Sequence, residues 1–204
     1  MPFLMRVSEA LEAFLQAIGR VASFLFIPLM IVIFYDVTQR KILEYDHDFT
    51  SSVFYFSSTK MQEMEWHIHA VLFLLCLAYA YLKDAHVRIE LVRDQMHPRT
   101  RAWIELIGCL IFLIPYCILV TDYGYTFAER AFLSGESSAS GVGLSHRWIV
   151  KGALPLGFLL LGLAGLAVAL RSLVYLFGSE DLRARARSHV GVHHADDPNR
   201  PVAD

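Results

Sequence analysis

Residues 149–177 read IVKGALPLGFLLLGLAGLAVALRSLVYLF. Lys151 stands near one end, Arg171 near the other, and no acidic residue interrupts the run. A helix needs about 20 mostly apolar residues to cross a bilayer, so this stretch is long enough. Three further stretches read the same way: Ile18 to Tyr35, Trp66 to Leu82 and Ala102 to Thr121. Buried helices of soluble proteins are apolar all round too, but four such runs are too many for one small core in 204 residues. The spacing predicts an all-α integral membrane protein with spans near 18–35, 66–82, 102–121 and 149–177. Composition agrees, with 55% hydrophobic and 19% charged residues. The net charge of −2 offers no basic field for nucleic acid.

The first span reads as a retained helix rather than a cleaved leader. Glu9 and Glu12 precede it, Arg40 and Lys41 follow it, and no small-residue cleavage site is evident. Four spans place both termini on one side. Twelve Lys and Arg fall with the termini and the middle loop, against six on the other side, which predicts cytoplasmic termini. Trp66, Trp103 and Trp148 stand at span entrances, where amphipathic rings are favoured.

Between the spans, residues 1–17 are expected to form an interfacial helix with Leu4, Val7, Leu11 and Phe14 on one apolar face. Residues 36–63 form an outer loop, 83–101 a basic inner loop and 122–148 a second outer loop rich in Ser and Gly. Residues 178–204 form a charged tail, expected to be disordered beyond a short helix. In the inner loop Ala85, Ile89, Val92 and Met96 recur at helical spacing, which fits a second interfacial helix, with a solvated basic loop that only obeys the positive-inside rule as the equal alternative. Its Arg88 and Arg93 suit lipid phosphates.

Chemistry is sparse. Ion pathways and proton relays need ionisable groups deep in the membrane. Here Arg20, Asp36, Glu65, Asp84, Glu105, Asp122, Lys151 and Arg171 all fall toward span ends. His67 and His69 are two residues apart and point about 200° apart on a helix, a poor haem pair. His193 and His194 lack further zinc ligands at fixed spacing. Cys76, Cys109 and Cys117 lie within the apolar spans and form no CxxC pair. No GxSxG, P-loop or GxGxxG occurs. No catalytic, metal or cofactor-binding residue is expected. Packing signals are clearer. Ala153, Gly157, Gly165 and Ala169 lie on one ridge of the last span, a spacing that admits another helix closely. Pro28 and Pro115 lie mid-span, where neighbours must re-satisfy freed backbone groups.

The stretch Glu63-Met-Glu-Trp66, the Ala78-Tyr79-Ala80 of the second span, Asp84-Ala-His86-Val-Arg88-Ile-Glu90-Leu, and Pro98-Arg99-Thr-Arg101-Ala-Trp103-Ile-Glu105-Leu resemble the small membrane (Q) subunit of tripartite ATP-independent periplasmic (TRAP) transporters. Leu154-Pro155-Leu156-Gly157 matches as well. The likeness covers roughly residues 15–177. The outer loop 36–63 is longer and more aromatic than is usual in that family, and Leu-Ser-His-Arg-Trp at 144–148 lacks a Pro often found before the Trp.

The resemblance implies a multi-pass protein of the bacterial inner membrane that is not an enzyme. It implies a large (M) membrane subunit holding the substrate and sodium sites, and a periplasmic binding protein delivering a carboxylate or similar solute. The small subunit is then a scaffold in a symporter. Glu65 and Trp66 are expected to fix the outer end of the second span. Asp84, His86, Arg88 and Glu90 should order the inner loop against the partner or lipid, and Arg93, Arg99 and Arg101 should hold lipid headgroups. Gly157 and Gly165, with Ala153 and Ala169, should pack against a helix. A haem-binding anchor of a redox enzyme and a stand-alone small carrier remain the alternatives. The small subunit of a tricarboxylate transporter also has four spans, but its pattern is not seen.

Overall fold

The computed structural model describes residues 1–43, 55–85 and 96–187. Most of the described residues are helical and none of them forms a strand. In order they form α1 (Pro2–Ser23), α2 (Phe26–Thr38), a π-helical turn (Gln39–Leu43), α3 (Ser58–Leu82), α4 (Pro98–Ile107), a π-helical segment (Gly108–Leu113), α5 (Ile114–Leu133), α6 (Trp148–Phe177) and α7 (Glu180–Arg187). Four helical stretches, Pro2–Lys41, Ser58–Leu82, Pro98–Leu133 and Trp148–Phe177, are long and apolar enough to cross a membrane. α6 is the most enclosed, with 44% of its apolar window buried against 6–22% in the others.

Each helix runs beyond the apolar run that announces it. α3 begins eight residues before Trp66, and α5 continues past Thr121 to Leu133. Polar residues end a hydrophobic stretch without breaking i→i−4 bonding. Prolines shape the interruptions instead. Pro28 has no N–H for the carbonyl of Phe24, and that carbonyl accepts from Ile27 N at 3.1 Å. Leu25 N bonds Ala22 O at 2.9 Å, so the chain tightens there and α2 restarts with Pro28 in its first turn. The first helix is therefore interrupted at Phe24–Leu25 and runs unbroken through residues 17 and 18. Pro115 would press on the carbonyl of Ile111, and the wider π-helical turn at Gly108–Leu113 accommodates it.

The chain divides into two compact units. One comprises Met1–Gln16, Ala78–Ile118 and Leu160–Asp204. Its packing clusters are Met5, Val174 and Ala186 against Leu4, Tyr175 and Leu182, and Leu106, Cys109 and Ala169 against Tyr81 and Leu113. The other comprises Ala17–Leu77 and Leu119–Leu159. There Gly124 packs on Pro155, and a Cβ at Gly124 would lie 3.2 Å from the proline Cδ.

The first helix turns a stripe of mixed polar and apolar residues inward. Met5, Ser8, Glu12, Leu15 and Ala22 are buried at alternating spacings of three, four and seven. The apolar face expected from Leu4, Val7, Leu11 and Phe14 is not the fully buried one, and Phe14 is 54% exposed. In water the apolar stripe seeks the core. Against hydrocarbon, apolar side chains lose nothing by facing out, and polar and small ones are drawn to other helices.

α3 ends in a Schellman arrangement. Ala85 N bonds Ala80 O at 3.0 Å and Asp84 N bonds Tyr81 O at 3.2 Å, with Asp84 in the left-handed region at φ 53°. Asp84, expected to order the inner loop by polar contacts, thus also terminates the helix through its backbone. A left-handed residue with a Cβ costs about 1–2 kcal/mol. Asp84→Gly is therefore expected to leave thermal stability equal or slightly higher, and Asp84→Val to lower it. Equal stability of the two variants would refute a backbone role. Gly135 makes the same motif at the end of α5, at φ 59°.

Candidate functional site

No described residue combination suggests reaction chemistry; the polar side chains instead form two frames that hold helices. The first lies in the unit containing α2 and the N-terminal part of α3. Asp36 is fully buried and pairs with Arg40 one turn later. Ser58 Oγ, at the start of α3, donates to Asp36 Oδ1 at 3.4 Å. Gln39, 1% exposed, reads the backbone of Phe56 in both directions: its Nε2 donates to Phe56 O at 2.5 Å and its Oε1 accepts from Phe56 N at 3.3 Å. These contacts tie the end of α2 to the entrance of α3. Glu65 is half-buried in the field of Asp36 and Arg40, and its Oε1 takes no hydrogen bond from the described residues.

In the same unit Glu63 organises the loop after α5. Its carboxylate accepts from Ser138 Oγ and from Leu144 N, the latter at 2.6 Å. The loop closes on itself through Ser138 N to Leu144 O at 3.0 Å and Arg147 N to Glu136 O at 3.3 Å. Lys151 Nζ lies 2.5 Å from Glu136 Oε2 and 4.0 Å from the ring centre of Phe127. Arg147 covers Trp66, whose ring also meets His67 at 3.8 Å. His67 Nδ1 is 2.5 Å from Glu63 O within its own helix, and His69 is exposed. A Ser- and Gly-rich segment that sequence reads as an open loop is thus held by one carboxylate. A hydrogen bond to a charged group contributes about 1.5–3 kcal/mol. Glu63→Ala is expected to raise amide hydrogen exchange across residues 138–144. Unchanged protection at Leu144 would show that the carboxylate does not hold the loop.

The second frame lies in the unit containing the N-terminal part of α1 and the C-terminal part of α6. Arg171 pairs with Glu12, with 4% and 11% of their side chains exposed. One turn before Glu12, Ser8 Oγ donates to Ala167 O at 2.9 Å. Arg183 donates to Leu176 O at 3.2 Å, and Arg185 meets Glu9 at 3.2 Å on the surface.

Of the residues singled out from sequence, Trp66 is 40% exposed and Arg99 is exposed in the first turn of α4. Arg101 is buried and its Nε donates to Met96 O at 3.1 Å, so this guanidinium caps its own helix entrance rather than lying open to headgroups. His86, Arg88, Glu90 and Arg93 lie outside the described residues. Ala153 and Ala169 are buried. A Cβ on Gly157 would stand 2.7 Å from Leu74 O, and one on Gly165 would stand 2.7 Å from Leu113 Cδ2. The ridge is therefore filled by helices of this chain, not left open for another subunit.

A family model described as tripartite ATP-independent periplasmic transporters, DctQ component, matches residues 29–174. The chain belongs to that family. No curated protein and no solved structure matches it. As a TRAP small subunit it is an inner-membrane transporter component and not an enzyme. The matched region holds Asp36, Glu63, Glu136, Lys151 and Arg171, and leaves out Glu12. Sequence reading passed over Asp36, Gln39, Glu12 and Arg171 as partners. The available signal was charge sign: Glu12 and Arg171 are opposite charges expected at the same membrane face, each on an otherwise apolar helical stretch.

Proposed function

We propose that this TRAP small subunit is the static scaffold of its transporter, stabilising a large subunit that carries a carboxylate or similar organic solute with sodium. Both termini lie in the cytoplasm, as the distribution of Lys and Arg predicts. The observation that carries the reading is where the charges go. Asp36 with Arg40, Lys151 with Glu136, and Arg171 with Glu12 are spent on each other. Such pairs hold helices in place; a moving ion or polar solute needs groups that exchange partners.

The loop organised by Glu63 lies on the periplasmic side in this orientation, and its fixed shape suits contact with a soluble binding protein. Arg99, with Arg88 and Arg93 of the inner loop, holds lipid headgroups. The reading is tested by tagging the chain, expressing it with its chromosomal neighbours and identifying what copurifies in mild detergent. A large polytopic subunit in equal amount is expected. A redox subunit or a coloured preparation with a haem band would overturn it.

A further inference from the structure

The junction of α2 and α3 holds two acids against one base. Asp36 is fully buried, and both of its oxygens are occupied: Oδ2 pairs with Arg40, and Oδ1 accepts from Ser58 Oγ at 3.4 Å. Glu65 brings a second carboxyl group to the same place. It meets the Asp36 side chain directly and lies in the field of Arg40. Among the described residues, Asp36 of α2 and Arg40 of the π-helical turn are the charged groups that act on Glu65. The Arg40 side chain is 40% exposed, so water weakens its charge, and its hydrogen bond goes to Asp36.

Glu65 Oε1 is buried and takes no hydrogen bond from the described residues. An ionised carboxylate there would carry charge on an oxygen that no donor satisfies, which costs far more than burying the neutral acid. The contact with Asp36 leads to the same result by a separate route. An ionised carboxylate is acceptor-only, so two of them repel, and a hydrogen bond between the pair requires a proton on one. Both acids fall just outside the apolar runs 18–35 and 66–82, on the side that the orientation proposed above makes periplasmic.

We propose that Asp36 and Glu65 form a proton-binding site, with one proton shared between the two carboxyl groups, and that its loss loosens the junction of α2 and α3. With the proton bound, the pair carries one negative charge, matched by Arg40. Without it, two negative charges face one positive charge. The stability that the pair confers is therefore present at low pH and lost as pH rises through its titration. The titration belongs to the pair rather than to either residue. The proton comes from water and returns to water, and no other bond changes.

The test uses the full chain in detergent and infrared absorption, which separates a protonated carboxyl group from a carboxylate. At neutral pH the unmodified chain is expected to show a protonated-carboxyl band that disappears as pH is raised. Glu65→Gln is expected to abolish that band. Arg40→Gln leaves both acids in place and removes the positive charge that favours ionisation. It is expected to move the loss of the band to an at least about tenfold lower proton concentration. Thermal unfolding reads the junction: the melting temperature of the unmodified chain should fall across the same pH range, and that of Glu65→Gln should stay level there. A neutral-pH spectrum without the band, or a band that survives Glu65→Gln, overturns the proton site. Where Glu65→Gln does not fold, the unmodified chain and Arg40→Gln decide the matter, and a band that titrates identically in both overturns it too. Identical pH profiles of melting for the unmodified chain and Glu65→Gln overturn the loosening.

Discussion

Replacing Glu12 with alanine is expected to lower the unfolding free energy by about 3–5 kcal/mol, the range for breaking a buried ion pair from one side. The side chains of Arg171 and Glu12 are 4% and 11% exposed, so the guanidinium left behind has little access to water. It also cannot relieve the cost by losing its proton, because arginine stays charged in proteins. Glu12 lies on the same buried stripe as Met5, Ser8 and Leu15, so the loss loosens the packing of the N-terminal helix as well. Replacing both partners, Glu12→Ala with Arg171→Met, should restore most of the loss, since an apolar pair of similar volume is often as stable as a buried ion pair. Glu9→Ala is the control. Its partner Arg185 is 65% exposed, and such surface pairs contribute about 0–1 kcal/mol. Denaturant titration of the detergent-solubilised protein measures all three. Equal small costs at Glu9 and Glu12 would mean that the inner pair is solvated.

The second large effect is expected at Gly157. A Cβ there would stand 2.7 Å from Leu74 O and 2.9 Å from Leu74 Cβ. A backbone carbonyl cannot swing aside, so α3 and α6 must separate locally. Gly157→Ala should cost about 1–3 kcal/mol, the usual range for overpacking, and Gly157→Leu more. Gly165 makes an equally short approach, but to Leu113 Cδ2, the tip of a flexible side chain. There the neighbour gives way, and alanine recovers about 1 kcal/mol of helix propensity over glycine. Gly165→Ala is therefore expected near neutral. Thermal unfolding of the two alanine variants distinguishes them, and equal melting temperatures would refute the assignment. Reduced recovery of a large subunit with Gly157→Leu would follow from damage to this chain's own packing, so it would not by itself locate the interface between subunits.

Much of the candidate site was half-legible. Glu63 stood in the Glu63-Met-Glu-Trp66 motif, yet its partners Ser138 and Leu144 are about 80 residues away. Nothing in local spacing links them. Lys151 reads as a charge at a span end; its pairing with Glu136 depends on how the loop after α5 returns. The small-residue ridge of α6 was visible as Ala153, Gly157, Gly165 and Ala169, because small side chains at helical spacing show in the letters alone. Which helix fills a ridge depends on packing, and here Leu74 and Leu113 occupy it.

By itself the sequence determined that this is a four-span, all-α membrane protein of the TRAP small-subunit family. Apolar length and charge placement act along the chain, through the cost of putting polar groups into hydrocarbon, and need no knowledge of neighbours. Only the tertiary structure decided which face of each helix is buried. In lipid, an apolar side chain is nearly indifferent between membrane and core, so hydrophobic periodicity loses its sense of direction. Burial follows Ser8, Glu12, Asp36 and Arg171 instead, and their partners appear only once the helices are side by side.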